Sequence, residues 1–165
     1  MRLIVCVLLC LVQKVNLEAS LMKILHQTEK LIHFNQCDPA GVMYFAQSFT
    51  LAHQLIEDFI LASGIGWSSW FADPILIYPL IHAACDYRLP LQAGTECTLT
   101  LSITRLSLSS VVFITQAYAD KGQNKPSFEV KTVHVAVSKI TKKKDVFPKT
   151  IYDKLKHYKN RETHA

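Results

Sequence analysis

The sequence predicts an α+β fold in which one long helix packs on an antiparallel sheet. Apolar residues recur at helical spacing over residues 42–62, and four later segments have the alternation or β-branched content of strands. The connections between these strands are short, and only antiparallel neighbours can be joined so closely. A helix lying on an antiparallel sheet places the chain in the α+β class.

The first elements are a short strand within "TEKLIHFNQ" and a turn at Asp38. Pro39 restricts Asp38 to extended geometry, and Gly41 permits a tight turn before the helix. The periodicity predicts a helix from Val42 to Ala62 that Ser63-Gly64 ends. Asp38 would then lie just outside a helix N-terminus, where free N–H groups can polarise a carbonyl. A carboxylate at such a position suits acyl transfer, and a helix cap is the plain structural alternative.

The remaining elements follow the helix in order. Strand character is found over residues 75–89, 96–106, 111–119 and 128–138. "CTLTLSITRL" and "VKTVHVAVS" alternate most regularly, and "DKGQNK" before the last strand has the composition of a turn. A short helix from Thr150 to Tyr158 is predicted after Pro148.

The chain of 165 residues, half of them apolar and 19% charged, has the size and composition of one domain. We expect this domain over residues 22–140, after an apolar extension over residues 1–21 and before a basic tail over residues 141–165. The extension has the apolar length of a signal peptide but a poor cleavage site, and Met22 is an alternative start. We therefore expect the cytoplasm rather than export. The apolar run is too short to span a bilayer, so no stable membrane association is expected.

The charge and the cysteines argue against nucleic-acid binding and against a metal site. The net charge of +5 is concentrated in residues 139–165, which hold nine Lys or Arg and three Asp or Glu. A basic tail on a nearly neutral body does not favour nucleic-acid binding. The five cysteines form no C-x-x-C pair and no zinc spacing, which indicates reduced thiols and no metal site.

Three stretches resemble one family in order along the chain: "CDPAGVMYFAQSF", "AHQLIEDFILASGI" and "PLIHAACDYRLPLQAGTECTLTLSITRLSLSSV". Between Thr28 and Ser138 the sequence resembles the 4-hydroxybenzoyl-CoA thioesterase family, and within it the 1,4-dihydroxy-2-naphthoyl-CoA hydrolase branch. The resemblance implies the hot-dog fold, a long central helix wrapped by an antiparallel sheet. It implies an acyl-CoA thioesterase that works as a homodimer or homotetramer with sites between subunits. It implies no resident cofactor, because coenzyme A is part of the substrate.

The resemblance also assigns site residues. Asp38 matches the catalytic carboxylate, which attacks the thioester carbonyl or activates water. The backbone N–H of Phe45 matches the donor to the thioester oxygen, and His53 matches a position near the acyl group. Naphthoyl hydrolases follow that His with Glu, whereas this chain has Gln54. The resemblance places these residues at substrate-binding positions: Tyr44, His82, Arg88, Ser109 and Ser110.

Structural alternatives exist for several of these residues. His82 lies on a predicted strand, where a core or interface histidine is equally consistent with the sequence. Ser109-Ser110 is a turn by default, and Arg88 can instead pair with Asp86 or Glu96.

Three other functions share the fold. An acyl-carrier-protein thioesterase uses the same chemistry on a different carrier. A hot-dog dehydratase needs a histidine with a carboxylate on the facing protomer, and the sequence offers His53 no evident acidic companion. A non-catalytic acyl-CoA-binding module does not require Asp38.

Overall fold

A computed structural model describes residues 23–119 and 125–160 of the chain. The predictions for residues 1–21 and for most of the 120–125 turn lie outside the described residues. The described elements, in chain order, are β1 (His26–Leu31), a 3-10 turn (Phe34–Gln36), α1 (Ala46–Ala62), α2 (Trp67–Phe71), β2 (Leu76–Ile77), β3 (Leu80–Tyr87), β4 (Glu96–Leu106), β5 (Ser110–Tyr118), β6 (Phe128–Val135), β7 (Val137–Ser138) and α3 (Lys149–Asn160).

The main sheet has five strands in the order β1-β4-β5-β6-β3, and every neighbouring pair is antiparallel. This confirms the α+β class with an antiparallel sheet. Strand β4 has the bounds that the alternation of residues 96–106 predicts. Strand β3 pairs with β6 alone, so it forms one edge of the sheet. Most β3 residues are exposed.

Two of the predicted strands are each divided. The segment 75–89 forms β2 and β3, and the segment 128–138 forms β6 and β7. Pro79 separates the first pair because proline has no N–H to give to a ladder. Ala136 separates the second pair, and its N–H donates to the Ser109 carbonyl at 2.9 Å in the same register as the β5–β6 ladder. The two short strands, β2 and β7, pair with each other in a separate antiparallel sheet.

Helix α1 lies with one side on the main sheet, and its buried residues join the core formed by β4, β5 and β6. That buried side is made by Ser48, Leu51, Ala52, Leu55, Ile56, Phe59 and Ile60. The helix begins at Ala46, so the predicted start at Val42 is wrong. Val42 and Met43 instead form isolated bridges with Gln92 and Cys37, because tertiary partners hold their backbones extended.

The C-terminal helix α3 packs against the sheet through Ile151 and Leu155, which are both buried. One turn of α3 also contacts the end of α1, where the Lys154 ammonium donates to the Gly64 carbonyl. A cation suits this place because the carbonyls at a helix C-terminus carry partial negative charge. Among the described residues no helix is long and apolar enough to cross a membrane.

Among the described residues one histidine is buried, His134 on β6. Its Nδ1 lies 3.0 Å from the Tyr78 carbonyl oxygen, which can only accept, so Nδ1 carries the proton and Nε2 does not. Nε2 has no hydrogen-bond partner among the described residues. Burial lowers the pKa of His134 below its ordinary 6.5, the Tyr78 hydrogen bond opposes this, and the charge of His53 adds to the lowering.

This lowered pKa predicts an acid-sensitive fold. Unfolded His134 binds a proton more readily than folded His134, so the free energy of unfolding should fall as the pH drops below 6.5. The loss should continue until the pH passes the folded pKa, and no contribution should be seen at alkaline pH. Urea unfolding of wild type and His134→Asn between pH 5 and 8 measures the difference. Asparagine keeps a donor for Tyr78 but does not titrate, so the variant should show a weaker pH dependence.

The exposed His82→Asn variant is the matched control and should keep the wild-type pH dependence. Equal pH dependence in wild type and His134→Asn would show that His134 is not the responsible group.

Candidate active site

Asp38 lies in a tight hairpin that immediately precedes α1. The Asp38 N–H donates to the Val42 carbonyl at 2.9 Å, and the Tyr44 N–H donates to the Gln36 carbonyl at 2.8 Å. At the tip, the Gly41 N–H donates to the Asp38 carbonyl at 2.9 Å. Gly41 has φ +76°, a left-handed conformation that favours glycine. The hairpin also pairs with the β3–β4 connection, where the Met43 N–H donates to the Leu91 carbonyl at 2.7 Å.

The two oxygens of the Asp38 carboxylate have different surroundings. Oδ1 accepts the N–H of Ala40 at 2.9 Å and the N–H of Val42 at 3.2 Å, which holds the side chain against the turn. Oδ2 accepts no hydrogen bond from the described residues. The residue is exposed. One oxygen therefore fixes the carboxylate while the other is available to attack a carbonyl or accept a proton.

The prediction that Asp38 stands just outside the helix N-terminus is wrong in detail. The carboxylate caps the hairpin turn, and α1 begins eight residues later at Ala46. The hairpin nevertheless connects them, because Asp38 lies on its first arm and α1 begins two residues after Tyr44, which ends its second arm.

The start of α1 has two free amide donors. The N–H groups of Phe45 and Ala46 have no acceptor among the described residues. The next two amides are used within the first turn: Gln47 donates to the Tyr44 carbonyl at 2.9 Å and Ser48 donates to the Phe45 carbonyl at 3.3 Å. Adjacent free N–H groups can stabilise a developing oxyanion, which is the role that the family resemblance gives to Phe45.

The aromatic side chains at this point are exposed. The rings of Tyr44 and Phe45 lie 4.5 Å apart, and both side chains are about half exposed. Phe34, in the 3-10 turn before Asp38, is 83% exposed. Exposed aromatic side chains clustered along the chain are typical of a ligand-binding or subunit-contact surface.

His53 lies on the exposed side of α1. Its Nε2 is 3.1 Å from Glu57 Oε1, one helical turn further on, and its ring meets Phe71 edge-on at 6.1 Å. Glu57 is thus an acidic companion of His53 on the same helix, which the sequence analysis did not identify. The i,i+4 spacing brings the two side chains together on the helix surface. This pair lies within one helix, and Gln54 takes no part in it.

His82 and Arg88 belong to a different surface. His82 is opposite Val133 in the β3–β6 ladder, whereas Tyr87 is opposite the buried Phe128. Cross-strand partners share a face, so His82 lies on the sheet face opposite to α1 and is exposed. The Arg88 guanidinium pairs with Glu129 at 3.7 Å, so the predicted partners Asp86 and Glu96 are wrong. Tertiary pairing of β3 with β6 decides this contact.

Ser109 and Ser110 form the β4–β5 turn, their default assignment. The Ser110 hydroxyl lies 2.7 Å from the Ser107 hydroxyl, which also accepts the N–H of Ser109 at 3.3 Å and of Ser110 at 3.0 Å. Within the described part of one protomer, these serines make no hydrogen bond to the Asp38 hairpin.

Tyr87 and Ser48 are contacts of the site that sequence reasoning missed. The Tyr87 hydroxyl donates to the Phe45 carbonyl at 2.7 Å and lies 2.9 Å from the Ser48 hydroxyl. The alternation of "CDY" could have placed Tyr87 on the same face as Cys85. No local pattern connects residue 87 with residue 45, because the contact is made across the fold.

No group of three or more His, Cys, Asp or Glu side chains in the described part of the chain is arranged to hold a metal ion. The three described cysteines, Cys37, Cys85 and Cys97, are free thiols.

Comparisons with known proteins agree with this architecture. The sequence profile of the thioesterase-like superfamily matches residues 32–155. A Synechococcus elongatus 1,4-dihydroxy-2-naphthoyl-CoA hydrolase is 30% identical over 129 residues, which cover 78% of this chain and 93% of that protein. The Rippkaea orientalis enzyme of the same name is 29% identical over 133 residues, which cover 81% of this chain and 96% of that protein.

Two solved structures show the same fold. A 1,4-dihydroxy-2-naphthoyl-CoA thioesterase from Synechocystis superimposes with a TM-score of 0.71 at 20% identity, covering 84% of this chain and 98% of that chain. A Staphylococcus aureus protein in complex with CoA has a TM-score of 0.74 at 14% identity, and the match covers 87% of this chain and 89% of that chain.

The profile match spans most of the chain and includes both the Asp38 hairpin and α1. The predictions of a hot-dog thioesterase family and of a thioester-hydrolase enzyme class are thereby confirmed. The chain belongs to the thioesterase-like superfamily.

Proposed function

We propose that the protein hydrolyses an acyl-CoA thioester to a free acid and CoA. The observation that carries this proposal is the Asp38 carboxylate, which has one anchored and one free oxygen in the hairpin that leads to the free amides of α1. Membership of the superfamily and the names of the curated relatives support it.

In the proposed reaction Asp38 supplies the nucleophile or the general base. As nucleophile, its free oxygen attacks the thioester carbonyl, CoA leaves as the thiolate, and water hydrolyses the resulting anhydride. As base, it takes a proton from the water that attacks the carbonyl directly. In both routes the carbonyl oxygen becomes negatively charged, and the Phe45 N–H donates a hydrogen bond to it. His53, held by Glu57, helps to orient the acyl group or the water.

We propose an aromatic acyl group, such as 1,4-dihydroxy-2-naphthoyl or 4-hydroxybenzoyl. The relatives at 29% and 30% identity carry the first of these names. The exposed rings of Phe34, Tyr44 and Phe45 supply flat apolar surface for such a group. In the proposal Tyr44 and His82 contact substrate, while Arg88, Ser109 and Ser110 lie along the CoA part.

We propose that two subunits join at the exposed β3 edge, and that two such dimers can form a tetramer. Leu80, Ile81 and Tyr87 of this edge strand are more than half exposed, and an uncovered apolar edge is prone to pair with another strand. Because His82 lies on the sheet face opposite to α1, a second subunit is the means by which His82 and Asp38 can serve one substrate.

Sedimentation velocity tests the assembly. The mass of wild type from sedimentation should be two or four times the 18.7 kDa of one chain. The Ile81→Lys substitution should lower this mass toward that of a single chain. Ile140→Lys, which also replaces a highly exposed isoleucine, should leave the mass unchanged. A wild type that sediments as a single chain would contradict the assembly.

The proposal includes no resident cofactor, because CoA enters and leaves with the substrate. It includes no nucleic-acid partner, because the excess of positive charge is concentrated in residues 139–165. It places the enzyme in the cytoplasm, where free thiols such as Cys37, Cys85 and Cys97 stay reduced.

Release of free CoA thiol from a panel of acyl-CoA esters tests the function. The panel should include 1,4-dihydroxy-2-naphthoyl-CoA, 4-hydroxybenzoyl-CoA, and short- and long-chain fatty acyl-CoA. Fastest turnover of an aromatic ester supports the full proposal, whereas preference for a fatty acyl ester overturns the aromatic part alone. If no CoA ester is turned over but the same acyl groups on acyl carrier protein are, the protein is an acyl-carrier-protein thioesterase. No turnover with either carrier, despite binding, makes the protein a non-catalytic acyl-CoA-binding module.

A further inference from the structure

The start of α1 is tied to the edge of the sheet by a triangle of polar groups. The Tyr87 hydroxyl donates to the Phe45 carbonyl at 2.7 Å, and the Ser48 hydroxyl donates to the same carbonyl at 2.7 Å. The two hydroxyl oxygens lie 2.9 Å apart. Tyr87 is the last residue of β3, and Ser48 is fully buried in the first turn of α1.

A count of protons shows what the triangle does. The two hydroxyls have one proton each, so at most two of the three contacts are hydrogen bonds at any moment. Every way of sharing these protons in a connected triangle gives the Phe45 carbonyl at least one hydroxyl hydrogen bond. The Ser48 N–H, at 3.3 Å, adds a weaker one. The Phe45 carbonyl is therefore held in place by both the sheet edge and the helix.

The held carbonyl belongs to the same peptide group as the Ala46 N–H. Because a peptide group is planar, fixing its oxygen also fixes the direction of its N–H. Hydrogen bonds to a peptide oxygen draw electron density from the nitrogen, so its N–H becomes a stronger donor. The Ala46 N–H has no acceptor among the described residues, and the free Phe45 N–H is the preceding amide.

We propose that Tyr87 is a positioning residue for the oxyanion donors at the start of α1, acting through the Phe45–Ala46 peptide group. This inference rests on the proposed thioester hydrolysis, in which that helix start receives the developing oxyanion. It adds Ala46 as a second donor beside Phe45, with Tyr87 and Ser48 aligning it. Burial raises the pKa of the Tyr87 phenol above its ordinary 10.0, so the group remains a protonated donor at neutral pH.

Kinetics of Tyr87→Phe test the inference. The variant keeps the aromatic ring and removes only the hydroxyl. We expect kcat to fall about three- to tenfold with KM within about twofold, because the lost alignment is needed for the transition state rather than for binding. Ser48→Ala should behave similarly, and the double variant should lose more than the product of the two single losses, since each hydroxyl partly replaces the other.

Tyr118→Phe is the matched control. The Tyr118 hydroxyl donates to Gln116 at 2.9 Å on β5, away from the helix start, so kcat should be unchanged. An unchanged kcat in Tyr87→Phe, or equal losses in both tyrosine variants, would overturn the inference while leaving thioester hydrolysis by the wild type intact.

The amide ¹⁵N shifts give a second readout that does not depend on turnover. Removing the hydroxyl hydrogen bond from the Phe45 carbonyl should move the ¹⁵N resonance of Ala46 upfield in Tyr87→Phe, and further than Tyr118→Phe moves it. If the Ala46 resonance stays in place, Tyr87 does not act on this peptide group, whatever substrate the protein hydrolyses. If the resonance moves but wild type cleaves no thioester, the proposed function fails and with it the oxyanion role of Tyr87.

Discussion

Replacing Asp38 with asparagine is expected to lower kcat by about a hundredfold or more while leaving the fold intact. The asparagine carbonyl oxygen can still accept the N–H groups of Ala40 and Val42, which now bind Oδ1 at 2.9 and 3.2 Å. The hairpin is therefore preserved, and only the negative charge and the free carboxylate oxygen are lost. Steady-state release of CoA thiol from the preferred ester measures the effect, and thermal unfolding checks that the fold remains.

Asp58→Asn is the control, because Asp58 is an exposed carboxylate on α1 that has no place in the proposed mechanism. It should retain wild-type kcat. If Asp38→Asn is as active as wild type, Asp38 only caps the hairpin turn and the mechanism is wrong. If it is inactive but also unfolded at the assay temperature, the anchoring of Oδ1 rather than the chemistry of Oδ2 accounts for the loss.

Truncating Phe59 to alanine should lower the free energy of unfolding by about 3–5 kcal/mol. Phe59 is 1% exposed, and its ring meets Phe113 of β5 at 6.2 Å and Tyr158 of α3 at 5.2 Å, both nearly edge-on. One side chain therefore joins α1, the sheet and the C-terminal helix, and its loss opens a cavity among all three. Urea unfolding of the two proteins at neutral pH measures the difference.

Leu61→Ala tests whether the cost comes from burial rather than from the helix itself. Leu61 lies two residues further along α1 and is 55% exposed, so its truncation should change the unfolding free energy by less than about 1 kcal/mol. Comparable losses in both variants would contradict the central packing role of Phe59.

The sequence pattern of a segment was sufficient to predict the bounds of an element where one face of that element is buried along its whole length. The bounds of β4 follow from the alternation of "CTLTLSITRL", because the side chains at every second position meet the core under α1. The end of α1 at Ala62 follows from Ser63-Gly64, because residues that favour a turn end a helix wherever they occur in the sequence. The "CDPAG" motif likewise identified Asp38, Pro39 and Gly41 as a turn, and its carboxylate as the candidate for chemistry.

The sequence pattern of a segment gave wrong predictions where a distant segment binds its backbone or side chains. Val42 and Met43 are apolar and in helical register, yet they are extended, because Gln92 and Leu91 offer hydrogen bonds that a helix would forgo. Arg88 pairs with Glu129 rather than with the acids nearest in sequence, because the β3–β6 register brings that carboxylate within 3.7 Å. Such choices depend on which strands become neighbours, and residue spacing along one segment does not contain that information.

By itself the sequence determined the α+β class, the thioesterase-like family and the carboxylate at the centre of the proposed chemistry, because these depend on periodicity, turn residues and a contiguous motif. Only the tertiary structure decided how that carboxylate is held, which amides at the start of α1 remain free, and that Tyr87 supports them from the far end of β3. The physical reason is that a hydrogen bond across 42 residues of sequence exists only after the sheet edge and the helix have packed together.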